Sequence, residues 1–342
     1  MIINLNSDTV TVPTADMLTC MMQAKVGDDV LGDDPTVALL QDKVATLFGM
    51  ESALFCPSGT MTNQIAIKTH TQPLDEMICD HTSHVYQYET AGFAFHSGIS
   101  VALIEGEYGK ITAEQIADKI RPEFDWHPQS TLVVLENTCN KGGGSFYTLD
   151  EIEPIRQLCL SKQLKLHLDG ARIFNALVET GESPLAVGKY FDSISLCLSK
   201  GLGAPIGSLL MGDEKFIKQA RRYRKVMGGG MRQSGYLAAA GIYALDHHVE
   251  RLKIDNDRAK QIGQLLSQCR YVESVNPVQT NIIIFHLQSG LMADEMIERL
   301  KTHGILASAL GPQTIRFVFH LDISEAMMHK LKSTMVEIAK QY

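Results

Sequence analysis

A chain of 342 residues is long for one hydrophobic core and fits a large domain with a smaller one beside it. With 45% hydrophobic and 20% charged residues it has the make-up of an ordinary globular protein, so disorder explains nothing in it. A formal net charge of −8 argues against a nucleic-acid partner; the one dense basic run is Arg221-Arg222-Tyr223-Arg224-Lys225, with Lys218 ahead of it on the same predicted helix. Seven scattered cysteines with no Cys-x-x-Cys fit free thiols in a reducing cytosol. No signal peptide and no membrane-length apolar run is expected, which predicts a cytoplasmic protein.

In chain order, the first landmarks are acidic. Gly27-Asp-Asp and Gly32-Asp-Asp-Pro35 predict turns, and Asp34-Pro35 predicts a helix entry. The ligand spacing of a calcium loop is missing, so turn formation and capping are the expected roles. Ala53–Cys56 reads as a strand, Pro57–Thr60 as a turn and Met61 onward as a helix. A strand, a turn of small residues and a helix start make an anion site, because unpaired N–H groups and the positive dipole end converge there. The spacing is not that of a nucleoside-triphosphate loop.

Residues 77–108 alternate strand-like pieces with a helix-like stretch bearing His81, His84, Tyr88 and Glu89. On a helix His84 and Tyr88 share a face. A zinc pair there finds no third ligand nearby in sequence, so a histidine packed in a pocket is expected.

Thr131–Glu136 is a continuous apolar strand of the kind covered on both faces, followed by the loose turn Thr138–Ser145. A helix near 149–162, strand 164–168 and strand 193–198 repeat the alternation, which predicts an open, mainly parallel sheet. Ligands collect at the carboxyl ends of such strands, and Asp169, Arg172 and Lys200 all fall there. Lys200 follows an apolar strand and precedes Gly201, Gly203, Pro205 and Gly207, which prevent an immediate helix and leave room for something bulky. A desolvated lysine forms Schiff bases, and pyridoxal phosphate needs such a lysine, a carboxylate at its ring nitrogen and a phosphate site. Lys200, Asp169 and the Ser58-Gly59-Thr60 turn supply these. Arg172 and Arg316 are candidates to grip an amino-acid carboxylate, with an ion pair between domains as the plainer role for Arg316. A nicotinamide site is excluded, since Gly201-x-Gly203 lacks its third glycine and Pro205 stands where the helix should start.

Beyond Ser208–Met211, the basic helix and the loop Gly228–Gly235, the character changes near residue 246. Helix 247–269, strands 280–285 and 315–319, and helices 292–303 and 323–341 predict a small α+β domain over 247–342, after a large domain over 1–246.

Five blocks carry a resemblance. Ser-Asp-Thr-Val-Thr at 7–11, Gly-Asp-Asp-Val-x-Gly-Asp-Asp-Pro-Thr-Val at 27–37, Asp-Gly-Ala-Arg-Ile-Phe-Asn-Ala at 169–176, Cys-Leu-Ser-Lys-Gly-Leu-Gly at 197–203 and Gly-Gly-Gly-Met-Arg-Gln-Ser-Gly at 228–235 closely resemble low-specificity L-threonine aldolase, a fold-type-I pyridoxal-phosphate family. The resemblance runs in order along nearly the whole chain. It implies the α/β transferase-like fold with a seven-stranded sheet, and retro-aldol cleavage of β-hydroxy-α-amino acids to glycine and an aldehyde. β-Elimination, racemisation or transamination on the same cofactor is the alternative. By the resemblance, Lys200 carries pyridoxal phosphate, Asp169 meets its ring nitrogen, and Gly59, Thr60 and Ser199 hold its phosphate, with Arg232 reaching in from a neighbouring subunit. His84 stacks on the ring and lies near the substrate hydroxyl. Ser7, Arg172 and Arg316 bind the substrate carboxylate, and His127 corresponds to a second active-site histidine. The family is typically a homotetramer with sites at subunit interfaces, and no metal is expected.

The chain departs from the family at five positions. Asn6 and Val12 stand where arginines are common, Leu31 replaces a tyrosine, Met61 a glutamine and Cys139 a histidine. The losses at Leu31 and Cys139 predict an altered substrate range or rate with the cofactor machinery intact.

Overall fold

The computed structural model describes all of Met1–Tyr342. Its strands are β1 (Ile3–Asn4), β2 (Ser52–Cys56), β3 (Asp75–Asp80), β4 (Ser100–Ile104), β5 (Gln129–Glu136), β6 (Lys165–Asp169), β7 (Ser193–Cys197), β8 (Ser208–Gly212), β9 (Val272–Val275), β10 (Ile282–Leu287), β11 (Ile305–Leu306), β12 (Ser308–Gly311) and β13 (Thr314–Val318). Seven of them form one sheet in the order β2-β8-β7-β6-β5-β3-β4. β8 runs antiparallel to both of its neighbours and every other pairing between adjacent strands is parallel. β7 and β8 are buried along their whole length, which is why they read as unbroken runs of small and apolar residues.

Helices on both faces begin where the sequence offers caps. Asp34 accepts the N–H groups of Thr36 and Val37 at the start of Pro35–Phe48, and Gly49 ends that helix at a φ of 66°. Ser58 accepts the Met61 N–H and starts Gly59–His70, two residues earlier than expected. The stretch around His84 is the main local correction. Only His84–Gln87 is helical, Tyr88 is its cap, and a short π turn follows at Phe93–Ser97. His84 and Tyr88 still lie side by side, with ring centroids 5.6 Å apart.

Two large apolar cores and three smaller clusters result. The larger runs from Met17 to Leu252 on one face of the seven-stranded sheet, and two of the smaller clusters, around Ile65 and Met77, cover the other. The second large core gathers Ile3 and Leu5 with residues from Ala259 to Ile338, beneath the antiparallel sheet β12-β13-β10-β9. The N-terminal segment therefore belongs by packing to the second core, since β1 pairs in parallel with β11. From there residues 6–11 cross to the carboxyl ends of the large sheet: the Thr11 hydroxyl donates to the Lys200 carbonyl at 3.0 Å. No helix is long and apolar enough to cross a membrane.

Candidate active site

Register alone brings the first two acids together. Glu136 ends β5 and pairs with Asp169, which ends β6, and Asp169 pairs in turn with Ser195 on β7, the strand that leads into Lys200. Asp169 and Glu136 are buried, and Glu89 joins them from the loop after His84. None of the three has an arginine or lysine partner. Asp169 accepts the Asn63 amide at 2.8 Å and the Ala171 N–H at 3.2 Å. Glu136 accepts the backbone N–H of His84 at 2.7 Å and of Asn140 at 2.8 Å. Burial pushes the Glu136 carboxyl up to about 7, aided by the negative charge of Asp169 and opposed by those two N–H groups.

His84 is held within this acid field. Its Nδ1 lies 2.8 Å from Glu89 Oε1. Burial alone would lower its pKa, but the hydrogen bond to Glu89 and the charges of Asp169 and Glu89 prevail and raise it. His84, Glu89 and Asp169 also place one potential ligand atom each within 4.8 Å of one another. A cation between the two carboxylates would have to displace the Asn63 amide nitrogen, which lies 2.9 Å from Glu89 and 2.8 Å from Asp169 and serves both.

The N-terminal segment supplies the opposite side. Arg172 is fully engaged by Asp8 in a two-pronged pair at 2.6 and 2.7 Å, both side chains being buried. Burial would raise the Asp8 carboxyl, yet the Arg172 guanidinium outweighs it and holds it at about 2, with Lys200 adding to the effect. Arg172 thus anchors this segment through Asp8. Arg316 is placed differently. It donates to the Asn140 side chain and the Asn6 carbonyl at 2.9 Å each, and its buried Nε has no partner. Burial and the nearby Arg172 charge depress its pKa. Ser7 lies between the residues that engage the two arginines, and its hydroxyl accepts from Thr9.

Gly59 and Thr60 open their helix against the end of β7. A Cβ on Gly59 would sit 2.5 Å from the Cys197 sulfur, so only glycine lets the helix start approach the strand that delivers Ser199 and Lys200. Arg232 makes an exposed pair with Asp28 at 2.7 Å. Its loop touches the same helix, for Gly229 packs on Met61. His127 is not brought to the site. It precedes the first residue of β5, roughly 25 Å along that strand from Glu136, and stands in a surface group with Phe124 and Trp126.

Of the departures, Cys139 is buried with its thiol against the Glu136 carbonyl, whereas Leu31 and Val12 are exposed. The residues that sequence reasoning missed are Asp8, Asn63 and Glu136 as site groups. Asp8 lies inside the Ser-Asp-Thr-Val-Thr block and Glu136 at a strand end, so both carried a signal; Asn63 carried none.

A family model described as beta-eliminating lyase matches residues 4–289. A low-specificity L-threonine aldolase from Escherichia coli (strain K12) is 41% identical over 327 residues, covering 95% of this chain and 96% of that protein. One from Arabidopsis thaliana is 37% identical, covering 96% and 93%. The chain belongs to this family, the low-specificity L-threonine aldolases among the beta-eliminating lyases. Its fold agrees. A threonine aldolase from Leishmania major superposes with a TM-score of 0.87 at 21% identity over 98% of this chain and 99% of that one, and a serine palmitoyltransferase from Sphingomonas wittichii with 0.78 at 16% over 99% and 87%.

Proposed function

We propose that this protein cleaves L-threonine, L-allo-threonine and related β-hydroxy-α-amino acids to glycine and an aldehyde, using pyridoxal phosphate bound through Lys200. The observation that carries the reading is the cluster of buried carboxylates at and beside the strand ends that lead to Lys200, held by amides and the His84 imidazole with no arginine or lysine partner. Such a field suits a protonated pyridine ring at Asp169. The close-packed helix start at Gly59-Thr60, next to Ser199, suits the phosphate. The unpartnered Arg316 Nε suits a substrate carboxylate. Held by Lys200, Asp169 and the Gly59-Thr60 helix start, pyridoxal phosphate would supply an electron-poor ring for the negative charge left on the substrate α-carbon.

The chain's own groups do the rest. Arg172, locked to Asp8, fixes the segment bearing Ser7 over the site. Arg316, with its buried Nε unpartnered, would hold the substrate by its carboxylate and so orient it. A carboxylate only accepts, so the hydrogen between His84 and Glu89 rests on Nδ1 and leaves Nε2 to take the substrate hydroxyl proton. A positioned base of this kind contributes about 10²–10⁴-fold. The raised pKa of His84 strengthens that role.

We read the assembly as a homotetramer in the cytoplasm, with Arg232 of each subunit serving a neighbour's phosphate site. The exposed side chains of Met22, Leu31 and Val226 offer apolar surface to a second copy. Product analysis tests the activity: glycine with acetaldehyde from either threonine diastereomer is expected, whereas 2-oxobutyrate with ammonia would overturn it in favour of elimination.

A further inference from the structure

Beneath Asp169 runs a line of buried polar groups. The Asn63 amide donates to Asp169 Oδ2 and to Glu89 Oε1. Its carbonyl oxygen lies 3.2 Å from His167 Nε2; His167 Nδ1 lies 2.8 Å from the Ser193 hydroxyl; the same hydroxyl lies 2.7 Å from His70 Nε2. Asn63, His167 and Ser193 are all buried. The far end, His70, stacks on Phe216 and borders a surface cavity of about 460 Å³ lined also by Lys165, Lys218 and Arg222.

Hydrogen-bond chemistry fixes the direction of every link. Two carboxylates can only accept, so both must face the Asn63 NH₂ group and its oxygen must face His167. That oxygen can only accept, so His167 carries its hydrogen on Nε2. Burial drives the His167 pKa down to about 4, which keeps the ring neutral, and Nδ1 is then a bare acceptor. Ser193 therefore donates to His167 and accepts from His70 Nε2–H. Burial and the neighbouring His167 likewise hold His70 neutral, at about 3. All the donors point toward Asp169.

We propose that Asn63, through this one-way chain to His70, is the positioning residue that keeps Asp169 aimed at the ring nitrogen and ties Asp169 and His84 into one unit through Glu89. The chain leaves Asp169 Oδ2 no donor role toward the protein interior, so any proton it shares is shared with the ligand. Removing Asn63 frees both carboxylates at once and leaves His167 free to take either tautomer. The proposal rests on the reading of Asp169 as the ring-nitrogen contact, but its hydrogen-bond pattern does not.

Two measurements separate these. Neutron diffraction from crystals of the deuterated holoenzyme is expected to show deuterium on His167 Nε2 and none on Nδ1. Deuterium on Nδ1, or on both nitrogens, would overturn the proposal whatever the enzyme catalyses. Asn63→Ala is expected to weaken pyridoxal phosphate binding by about 10–100-fold, the usual scale for losing a group that orients a ligand's direct contact, and to displace the pH midpoint of the bound cofactor's visible absorption. Its kcat should fall with little change in KM. Because Asn63→Ala removes a buried side chain that bridges two carboxylates, Ser193→Ala provides the milder cut, expected to shift the same midpoint in the same direction by less. Folded variants with native affinity and a native midpoint would refute the role. A protein that binds no pyridoxal phosphate at all would defeat the functional reading while the neutron result stood.

Discussion

The molecule has two clusters of acids, and they are handled in opposite ways. In the block from Asp28 to Asp34 nearly every carboxylate is matched on the spot. Asp34 accepts the N–H groups of Gly27, Thr36, Val37 and Gly235, Asp29 pairs with the buried Arg224 at 2.7 Å, and Asp28 pairs with Arg232. At the strand ends, Asp169, Glu136 and Glu89 lie close together and receive only amide donors and one imidazole. Burying a carboxylate without a compensating cation is costly, and burial raises the pKa of Glu136, with the negative charge of Asp169 adding to the effect. The first cluster builds the fold. The second is held in readiness for a positive ligand.

That contrast is most sharply broken at the lysine facing the second cluster. Lys200→Ala should reduce turnover by at least about three orders of magnitude, since it abolishes covalent catalysis. The variant should also lose the visible absorption of the covalently bound cofactor. Near-native turnover with the native spectrum would remove the basis of the functional reading. Asp169→Asn comes next. It preserves shape and much of the hydrogen bonding but removes the charge, and it should lower kcat by about 10²–10³-fold, the scale seen when one charge-stabilising contact is lost. The unfolding temperature should fall slightly, because one of the two donors to Asp169, the Asn63 amide at Oδ2 or the Ala171 N–H at Oδ1, loses its carboxylate oxygen. An active Asp169→Asn enzyme would place the ring nitrogen elsewhere.

Glu136 gives the comparison a pH signature. Its folded pKa is raised to about 7, above the ordinary 4.5. A group raised in this sense holds its proton more tightly when folded. Its contribution to stability is therefore fully present below about pH 4.5 and is lost as the pH rises through about 7. The full swing is about 3 kcal/mol. In the apoenzyme, urea unfolding at intervals from pH 5 to 8 should show this decline, and Glu136→Gln should flatten it. The variant will start lower, because one of the two N–H groups that Glu136 accepts loses its carboxylate oxygen. A slope unchanged by the substitution would assign the titration to another group.

Much of this was legible in the chain. Apolar runs ending in Glu136, Asp169 and Lys200 announced a parallel sheet with chemistry at its carboxyl ends, and Asp34-Pro35 announced its helix. What was hidden depended on distance in sequence. Asp8 meets Arg172 only because β1 docks on β11, a two-residue strand too short to carry a pattern. The Glu89 and His84 pairing depends on the helix stopping after a single turn, where propensity suggested more. Asn63 looked like any polar residue of a helix, since nothing local shows that its amide faces two carboxylates from other segments. His127, expected from the family resemblance, stands in this structure in a surface group with Phe124 and Trp126 ahead of β5.

The smallest predicted effect tests the structural cluster. Asp34 is buried and its two oxygens accept from four backbone N–H groups, two at its own helix start and one each from Gly27 and Gly235. Losing the cap alone costs about 1–2 kcal/mol, and the two stranded amides add to it, so Asp34→Ala should lower stability by about 2–3 kcal/mol. Asp34→Asn keeps one oxygen for the helix cap and should recover roughly half of that loss. Neither variant should change kcat once pyridoxal phosphate is saturating, because Asp34 anchors turns and meets no reacting atom. The pair is best compared by chemical denaturation beside steady-state assays on the same preparations. If Asp34→Ala left stability untouched while turnover collapsed, the division of labour between the two acid clusters would be wrong.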